Sequence, residues 1–246
     1  MPADAQSIAI SARRRNPDLD HGRPSVRDEF APARDAANFV PGPLCFAAMT
    51  QAPRSTPLDP LPSIVDDYRR DGDVGLLFDR LRTFARARTP QAVKDAATPY
   101  RDQPEVVIPL YEDIVSRAPS DAQAMVVLAN AYWLTGRGPD VVGELATRAI
   151  ATDGSNRGAW HLWALAEPTV RGRVERWQRV VQEFPSDQLA RAALADNATS
   201  LAHDEHDPLA LDLAIATYEG LLAESTQTAQ RMALEQTIQT LRAWTL

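Results

Sequence analysis

The stretch that decides the fold is PSDAQAMVVLANAYWLTGRGPDVVGELATRAIATDGSN, residues 119–156. It opens with Ser120 and Asp121, whose side chains can accept the unpaired amide hydrogens of a helix's first turn. Two apolar stripes with helical spacing follow, and Gly136 between them is a typical helix stop. The first stripe is Met125, Leu128, Ala129 and Tyr132, and the second is Val142, Ala146, Ala149 and Ile150. Residues 122–156 therefore predict two helices joined by a turn.

Composition places the chain among ordinary globular proteins and excludes several classes. Of its 246 residues, 44% are hydrophobic and 24% are charged. The longest apolar runs, such as residues 125–129, are far shorter than the roughly 20 residues that cross a bilayer. The single cysteine, Cys45, excludes an internal disulfide and a multi-cysteine zinc site, and the net charge of −7 offers no field for nucleic acid or anionic lipid. We expect a cytoplasmic protein that binds neither nucleic acid nor membrane.

Proline usage marks a boundary near residue 58. Ten of the 19 prolines lie in the first 62 residues, where no apolar period is sustained, so residues 1–57 are expected to be disordered or loosely ordered. The arginine run at residues 13–15 is best interpreted as solvated charge, because no apolar core of a targeting signal follows it. Met49 is an alternative start, in which case residues 1–48 are not part of the natural protein.

Residues 58–246 repeat the two-helix pattern with varying length. Further units are predicted to begin at Leu61, at Thr89-Pro90, at Arg157 and near Leu194, and a last helix is predicted from about Thr228 to Trp244. In that last helix Met232, Leu234, Ile238 and Leu241 are expected on the buried side, with glutamines on the outer side as in a capping helix. The fifth unit is expected to contain a long loop from His203 to Pro208.

The pair at residues 122–156 resembles the tetratricopeptide repeat (TPR). Leu128, Ala129 and Tyr132 fill first-helix positions of that family, and Val142, Ala146 and Ala149 fill second-helix positions. The resemblance covers roughly three quarters of the chain. It implies an all-α fold, a right-handed superhelical solenoid of about five antiparallel helix pairs with a C-terminal capping helix. Single pairs bury too little apolar surface to fold alone, so neighbours must stack.

The resemblance also implies a concave groove lined by first helices, which takes an extended peptide or a partner helix. By helical phase the residues facing it are Gln123, Val126, Asn130, Trp133, His161, Leu165 and Asp196. One subset of the family clamps a peptide's C-terminal carboxylate with basic and amide side chains. Only Asn130 matches that set, since Val126, Gly158 and Leu162 stand where clamp donors would be, so binding of that kind is not expected. An ordinary partly exposed amide at Asn130 and an aromatic at the edge of the core at Trp133 are equally good interpretations.

Two other clusters have a functional and a structural interpretation. Trp160, Trp163 and Trp177 are predicted to pack in the core rather than to form a binding hot spot, because all three occupy family packing positions. His203-Asp204-Glu205-His206-Asp207 offers metal ligands, His203 and His206 above all, but a solvated acidic turn is the favoured interpretation because no third histidine or cysteine completes a site.

No nucleophile elbow, phosphate-binding loop or glycine-rich dinucleotide turn is present in the sequence. We therefore predict a non-enzymatic interaction module without a cofactor, an adaptor, scaffold or assembly factor of a bacterium, the last suggested by the Ala/Arg/Asp-rich composition. Two alternatives remain. One is a metal-dependent or enzyme-associated accessory protein that uses residues 203–207, and the other is a self-associating repeat protein that forms a homodimer. The partner and the biological process do not follow from the sequence.

Overall fold

The computed structural model describes residues 59–245, in which eleven α-helices, a 3-10 turn at Thr98–Tyr100 and no strand are present. The helices are α1 (Leu61–Asp71), α2 (Val74–Arg86), α3 (Pro90–Ala97), α4 (Pro104–Arg117), α5 (Ala122–Leu134), α6 (Pro139–Thr152), α7 (Arg157–Leu165), α8 (Val170–Glu183), α9 (Gln188–Glu205), α10 (Pro208–Glu224) and α11 (Thr228–Arg242). The predictions for residues 1–57, including the alternative start at Met49, lie outside the described residues.

The helices pair along the chain. Each first helix (α1, α3, α5, α7 and α9) packs against the second helix that follows it (α2, α4, α6, α8 and α10), and α11 packs on α10 as the terminal helix. The first helices α5 and α7 also touch each other directly, as stacked repeats do. The all-α, TPR-like fold is thus confirmed. None of the helices between residues 59 and 245 has the length and apolar character that a bilayer crossing requires.

Capping side chains explain where most helices begin. Seven N-cap side chains accept hydrogen bonds from first-turn amides, namely those of Asp73, Thr89, Asp121, Asn156, Thr169, Asp187 and Asp207. Proline stands in the first turn of α3, as predicted from Thr89-Pro90, because its fixed φ suits that position. Gly72 and Gly136 follow α1 and α5 with φ of 71° and 73°, a left-handed conformation that glycine adopts without a Cβ clash.

Buried apolar side chains form two separate clusters. The N-terminal core contains 30 buried residues from Leu61 to Ala166, and the C-terminal core contains 17 from Ala164 to Leu241. Alanine supplies ten members of the first and eight of the second, so the C-terminal core buries less apolar area per member. Helix α7 contributes to both clusters.

Two predictions about the C-terminal region are wrong. The loop expected from His203 to Pro208 is helix up to Glu205, and only His206, at φ 53°, and the N-cap Asp207 separate α9 from α10. Met232 is 64% exposed instead of buried. The buried stripe of α11 runs through Ile238 and Leu241, and Met232 lies two residues, about 200° of helical rotation, from Leu234, which packs against the C-terminal core.

Candidate protein-binding surface

We define the first-helix surface as the exposed side of α5, α7 and α9. Each of these helices starts at a capping residue, Asp121, Asn156 or Asp187, so positions on them can be compared by their distance from the cap. The predicted groove residues fall at the same distances on every helix, which are two, five, nine and twelve residues after the cap. They are Gln123, Val126, Asn130 and Trp133 on α5, His161 and Leu165 on α7, and Asp196 on α9.

Helix α5 presents an uncharged surface. None of its 13 residues, AQAMVVLANAYWL, carries a charge. Gln123 is exposed, Val126 and Asn130 are half-buried, and Trp133 is 37% exposed with Leu134 exposed beside it. The Asn130 side chain makes no hydrogen bond within residues 59–245, whereas Gln123 Oε1 accepts one from Asn156 Nδ2 at 3.2 Å. Asn130 is therefore the amide on α5 that remains available to a ligand.

His161 does not belong to the exposed surface, contrary to the prediction. It is 8% exposed, and its Nε2 lies 2.7 Å from Asp187 Oδ2 at the start of α9. The imidazole also packs against the indole of Trp177, with ring centroids 5.4 Å apart. The position five residues after a cap faces the next first helix, and on α7 the side chains of Asp187 and Trp177 cover it. Leu165, nine residues after the cap, stays half-buried at the surface.

Helix α9 contributes Asp196 and Leu189 at the positions, counted from its cap, that correspond to groove residues of α5. Asp196 is exposed and accepts a hydrogen bond from the hydroxyl of Tyr218. Burial raises the pKa of Tyr218, and the Asp196 carboxylate adds to the shift, so the phenol stays protonated and donates to the carboxylate. Leu189, two residues after its cap, is 43% exposed. Sequence reasoning missed Leu189, although its distance from Asp187 equals that of Gln123 from Asp121.

The tryptophans pack against their neighbours. Trp177 is buried in the C-terminal core. Trp160 and Trp163 are half-buried and meet edge to face at 5.6 Å, and Trp160 Nε1 donates to the carbonyl oxygen of Gly154 at 2.9 Å. The guanidinium of Arg176 lies 4.7 Å from the centre of a Trp163 ring. These contacts fit the packing interpretation of the three indoles.

The acidic segment at residues 203–207 is engaged in ion pairs. Arg171 pairs with both Glu205 and Asp207, and His203 Nδ1 lies 3.1 Å from Asp204 Oδ1. Asp207 Oδ1 meanwhile accepts the amides of Leu209 and Ala210 as the cap of α10. In residues 59–245 no three His, Cys, Asp or Glu side chains are grouped so that they could hold a metal ion.

Comparison with known proteins gives structural neighbours only. No family model matches the chain, and no curated protein matches it. Among solved structures, the chain is similar to the MamA protein at 15% identity, with 67% of this chain and 93% of that chain covered and a TM-score of 0.48. It is similar to TTC0263, a thermophilic TPR protein of Thermus thermophilus, at 15% identity, with 75% and 98% covered and a TM-score of 0.42.

A tetratricopeptide repeat protein from Parabacteroides merdae is similar at 13% identity, with 74% of this chain and 78% of that chain covered and a TM-score of 0.42. The fold assignment rests on the helix pairs themselves.

Proposed function

We propose that this TPR-like array is a protein-interaction module whose first-helix surface takes an extended, uncharged and largely apolar segment of a partner protein. The observation that carries the proposal is α5, a 13-residue helix without a charge that exposes Trp133 and carries the half-buried Asn130, whose amide has no hydrogen-bond partner within residues 59–245.

The uncharged, largely apolar surface of α5 favours a partner segment that is itself uncharged and apolar. Interface centres are depleted of charged residues and enriched in aromatic ones, because a charge buried against an apolar surface loses its hydration without compensation. A charged side chain placed against Trp133 and Leu134 would find no counter-ion among the residues of α5. An apolar side chain placed beside Trp133 would instead bury area on both sides.

Asn130 gives the same surface its polar contact. A carboxamide has two donor hydrogens and an accepting oxygen, so one side chain can pair with both an N–H and a C=O of an extended backbone. Backbone groups occur in every peptide, so this contact contributes affinity while the apolar positions contribute specificity. An adaptor, scaffold or assembly role in a bacterial cytoplasm, without catalysis and without a nucleic-acid ligand, is the function we attach to this surface.

Selection of peptides on the full chain tests the proposal. A display library of about 12-residue peptides is panned on the wild type, and the selected sequences are measured by fluorescence anisotropy. We expect selection for apolar, uncharged sequences, with binding weakened about tenfold or more by Trp133→Ala and about fivefold by Asn130→Ala.

The matched control is Leu209→Ala, which removes an exposed leucine on α10, away from the first-helix surface. It should leave affinity unchanged. Enrichment of charged peptides, or equal binding by the wild type and the Trp133 and Asn130 variants with helicity intact, would remove the first-helix surface as the site.

A further inference from the structure

The helical array has an internal seam between α7 and the helices that follow it. On α7, Ala159 and Leu162 belong to the N-terminal core, whereas Ala164 is the one fully buried apolar residue that it contributes to the C-terminal core. Trp160 and Leu165 of α7 also pack against the C-terminal core, but both are only half-buried. The fully buried apolar contact that α7 makes across the seam is therefore small.

Polar and aromatic contacts hold the seam. The ring centroids of Trp160 and Phe184 lie 6.3 Å apart, and the His161 imidazole packs against Trp177.

The main polar contact is the His161–Asp187 hydrogen bond of 2.7 Å, to which the exposed Arg157 adds a contact from its Nε to Asp187 Oδ2 at 3.6 Å. On α8, Arg176 donates to the carbonyl oxygen of Trp163 at 2.6 Å and pairs with Glu167 at 2.9 Å.

A second arginine of α8 closes the turn between the two helices. Arg173 Nη1 donates to the carbonyl oxygens of Glu167 at 3.0 Å and of Pro168 at 2.9 Å. Water can replace such bonds when helices separate, so each one contributes little net free energy, whereas buried apolar contacts have no replacement in water. A junction with little fully buried apolar contact and several polar bonds is thus expected to open more readily than the interior of either core.

We propose that the seam is a conformational joint, at which α8–α11 open and reclose as one cooperative unit while α1–α7 stay folded. Stability in a repeat array is a sum over units and their nearest-neighbour interfaces, so the weakest interface sets where it divides. The alanine-rich C-terminal core lowers the opening free energy of that side further. This inference goes beyond the proposed function and does not depend on it.

The joint also lies beneath the first-helix surface. Leu165 is on one side of it, and Leu189 and Asp196 are on the other. A ligand that contacts both sides holds them in one relative position and so stabilises the closed state by mass action.

Native-state hydrogen exchange of the full chain, followed by mass spectrometry of peptic fragments, tests the joint. We expect fragments from α8–α11 to share one opening event, with protection at least about tenfold lower than the protected fragments of α4–α6. A single protection level from α4 through α10, or a boundary that falls within α9 or α10, would overturn the proposal.

A variant of His161 tests whether the opening unit begins at the contact between His161 and Asp187. His161→Ala removes the main bond across the seam, and exchange in α9 and α10 is expected to accelerate by about tenfold while α4–α6 remain unchanged. Equal acceleration in both regions would show that they unfold together and would also overturn the joint. His161→Gln, which keeps a donor in place, should show a smaller effect in the same fragments and serves if the alanine variant does not fold.

The matched control is Lys94→Ala. It removes the corresponding bond, to Asp121, at the junction of α3 with α5. Exchange in α9 and α10 should then match the wild type.

Discussion

The junctions at Asp121 and Asp187 use the same arrangement in two environments. In each, Oδ1 of the aspartate caps its own helix, and Oδ2 accepts a hydrogen bond from a side chain five residues after the previous first helix's cap. The donor is Lys94 Nζ at one junction and His161 Nε2 at the other, both at 2.7 Å. The Lys94–Asp121 side chains are 25% and 18% exposed, and the His161–Asp187 side chains are 10% and 5% exposed.

The two junctions show that the position of a residue in the repeat determines which contact it makes. How strongly that contact stabilises the protein depends on how deeply it is buried. A long, flexible ammonium suits the wetter junction because it can stay partly hydrated, whereas a short, rigid imidazole fits the closed one. Between them, the junction of α5 with α7 has no such donor, and Val126 packs against Gly158 instead. Four changes, taken from the largest expected effect to the smallest, test this comparison.

Among the four changes, Asp187→Ala should lower the free energy of unfolding the most. It removes the cap from the amides of Leu189 and Ala190 and leaves the buried His161 without its partner. We expect a loss of about 3 kcal/mol in the free energy of unfolding. Urea denaturation followed by circular dichroism measures it. Asp187→Asn is the control, since it keeps a capping oxygen and should lose clearly less; a loss below about 1 kcal/mol for the alanine variant would contradict the importance of burial.

Asp121→Ala removes the same two contacts from the wetter junction. Lys94 can turn to solvent when its partner is absent, so no buried group is stranded and the expected loss is about 1.5 kcal/mol. The same denaturation experiment measures it. The comparison fails if this variant is as destabilised as Asp187→Ala.

The Lys94–Asp121 contact should depend on pH. Burial raises the pKa of the Asp121 carboxyl, but hydrogen bonds from Lys94 and from the Ala124 amide outweigh burial, so the pKa lies below its ordinary value. A lowered folded-state pKa contributes stability above the unfolded-state value, about 3.9, that disappears as pH falls through the folded-state value.

Lys94→Met isolates that dependence. It should cost about 0.5–1 kcal/mol at pH 7, and the cost should shrink as pH falls below about 4. Urea midpoints of wild type and variant between pH 7 and pH 3 measure the difference. A cost that stays constant over this range would mean that Lys94 contributes packing alone.

Gly158→Ala probes the junction without a donor. Alanine favours a helix over glycine by about 0.5–1 kcal/mol, but the new Cβ would lie 3.2 Å from Cγ1 of Val126. We expect the two effects to cancel in the wild type. In a Val126→Ala background the clash is absent, so the same change should stabilise by about 0.5–1 kcal/mol, and a double-mutant cycle in urea checks the coupling. Identical effects in both backgrounds would show that Val126 does not restrict Gly158.

Local sequence signals predicted much of the fold. Pro-Ser-Asp at residues 119–121 marked a helix start, and the same tripeptide at residues 185–187 precedes α9. Stripes with helical spacing then identified the pairs, because one apolar face per helix is enough to specify stacking. The residues at which helices end were harder to predict. The left-handed His206 replaced a predicted loop, since a residue other than glycine gives no clear signal for that conformation.

The candidate site was less predictable because exposure depends on the next repeat. Helical phase placed His161 on the same line as Val126 and Asn130, but the partner that covers it, Asp187, comes 26 residues later in the chain. Its role follows only when both helices are positioned. Asn130, Trp133 and Leu165 were found by phase alone, and whether they bind a partner remains a prediction.

In both aspartate contacts, the donor residue is synthesised before the aspartate that accepts from it. Ribosomes make a chain from its amino end, so Lys94 exists before Asp121, and His161 exists before Asp187. Each donor is therefore in place when the carboxylate that it will meet is added. A chain shortened from its carboxyl end loses the aspartate and leaves a lysine or histidine that water can solvate, whereas one shortened from its amino end leaves an aspartate cap without its donor.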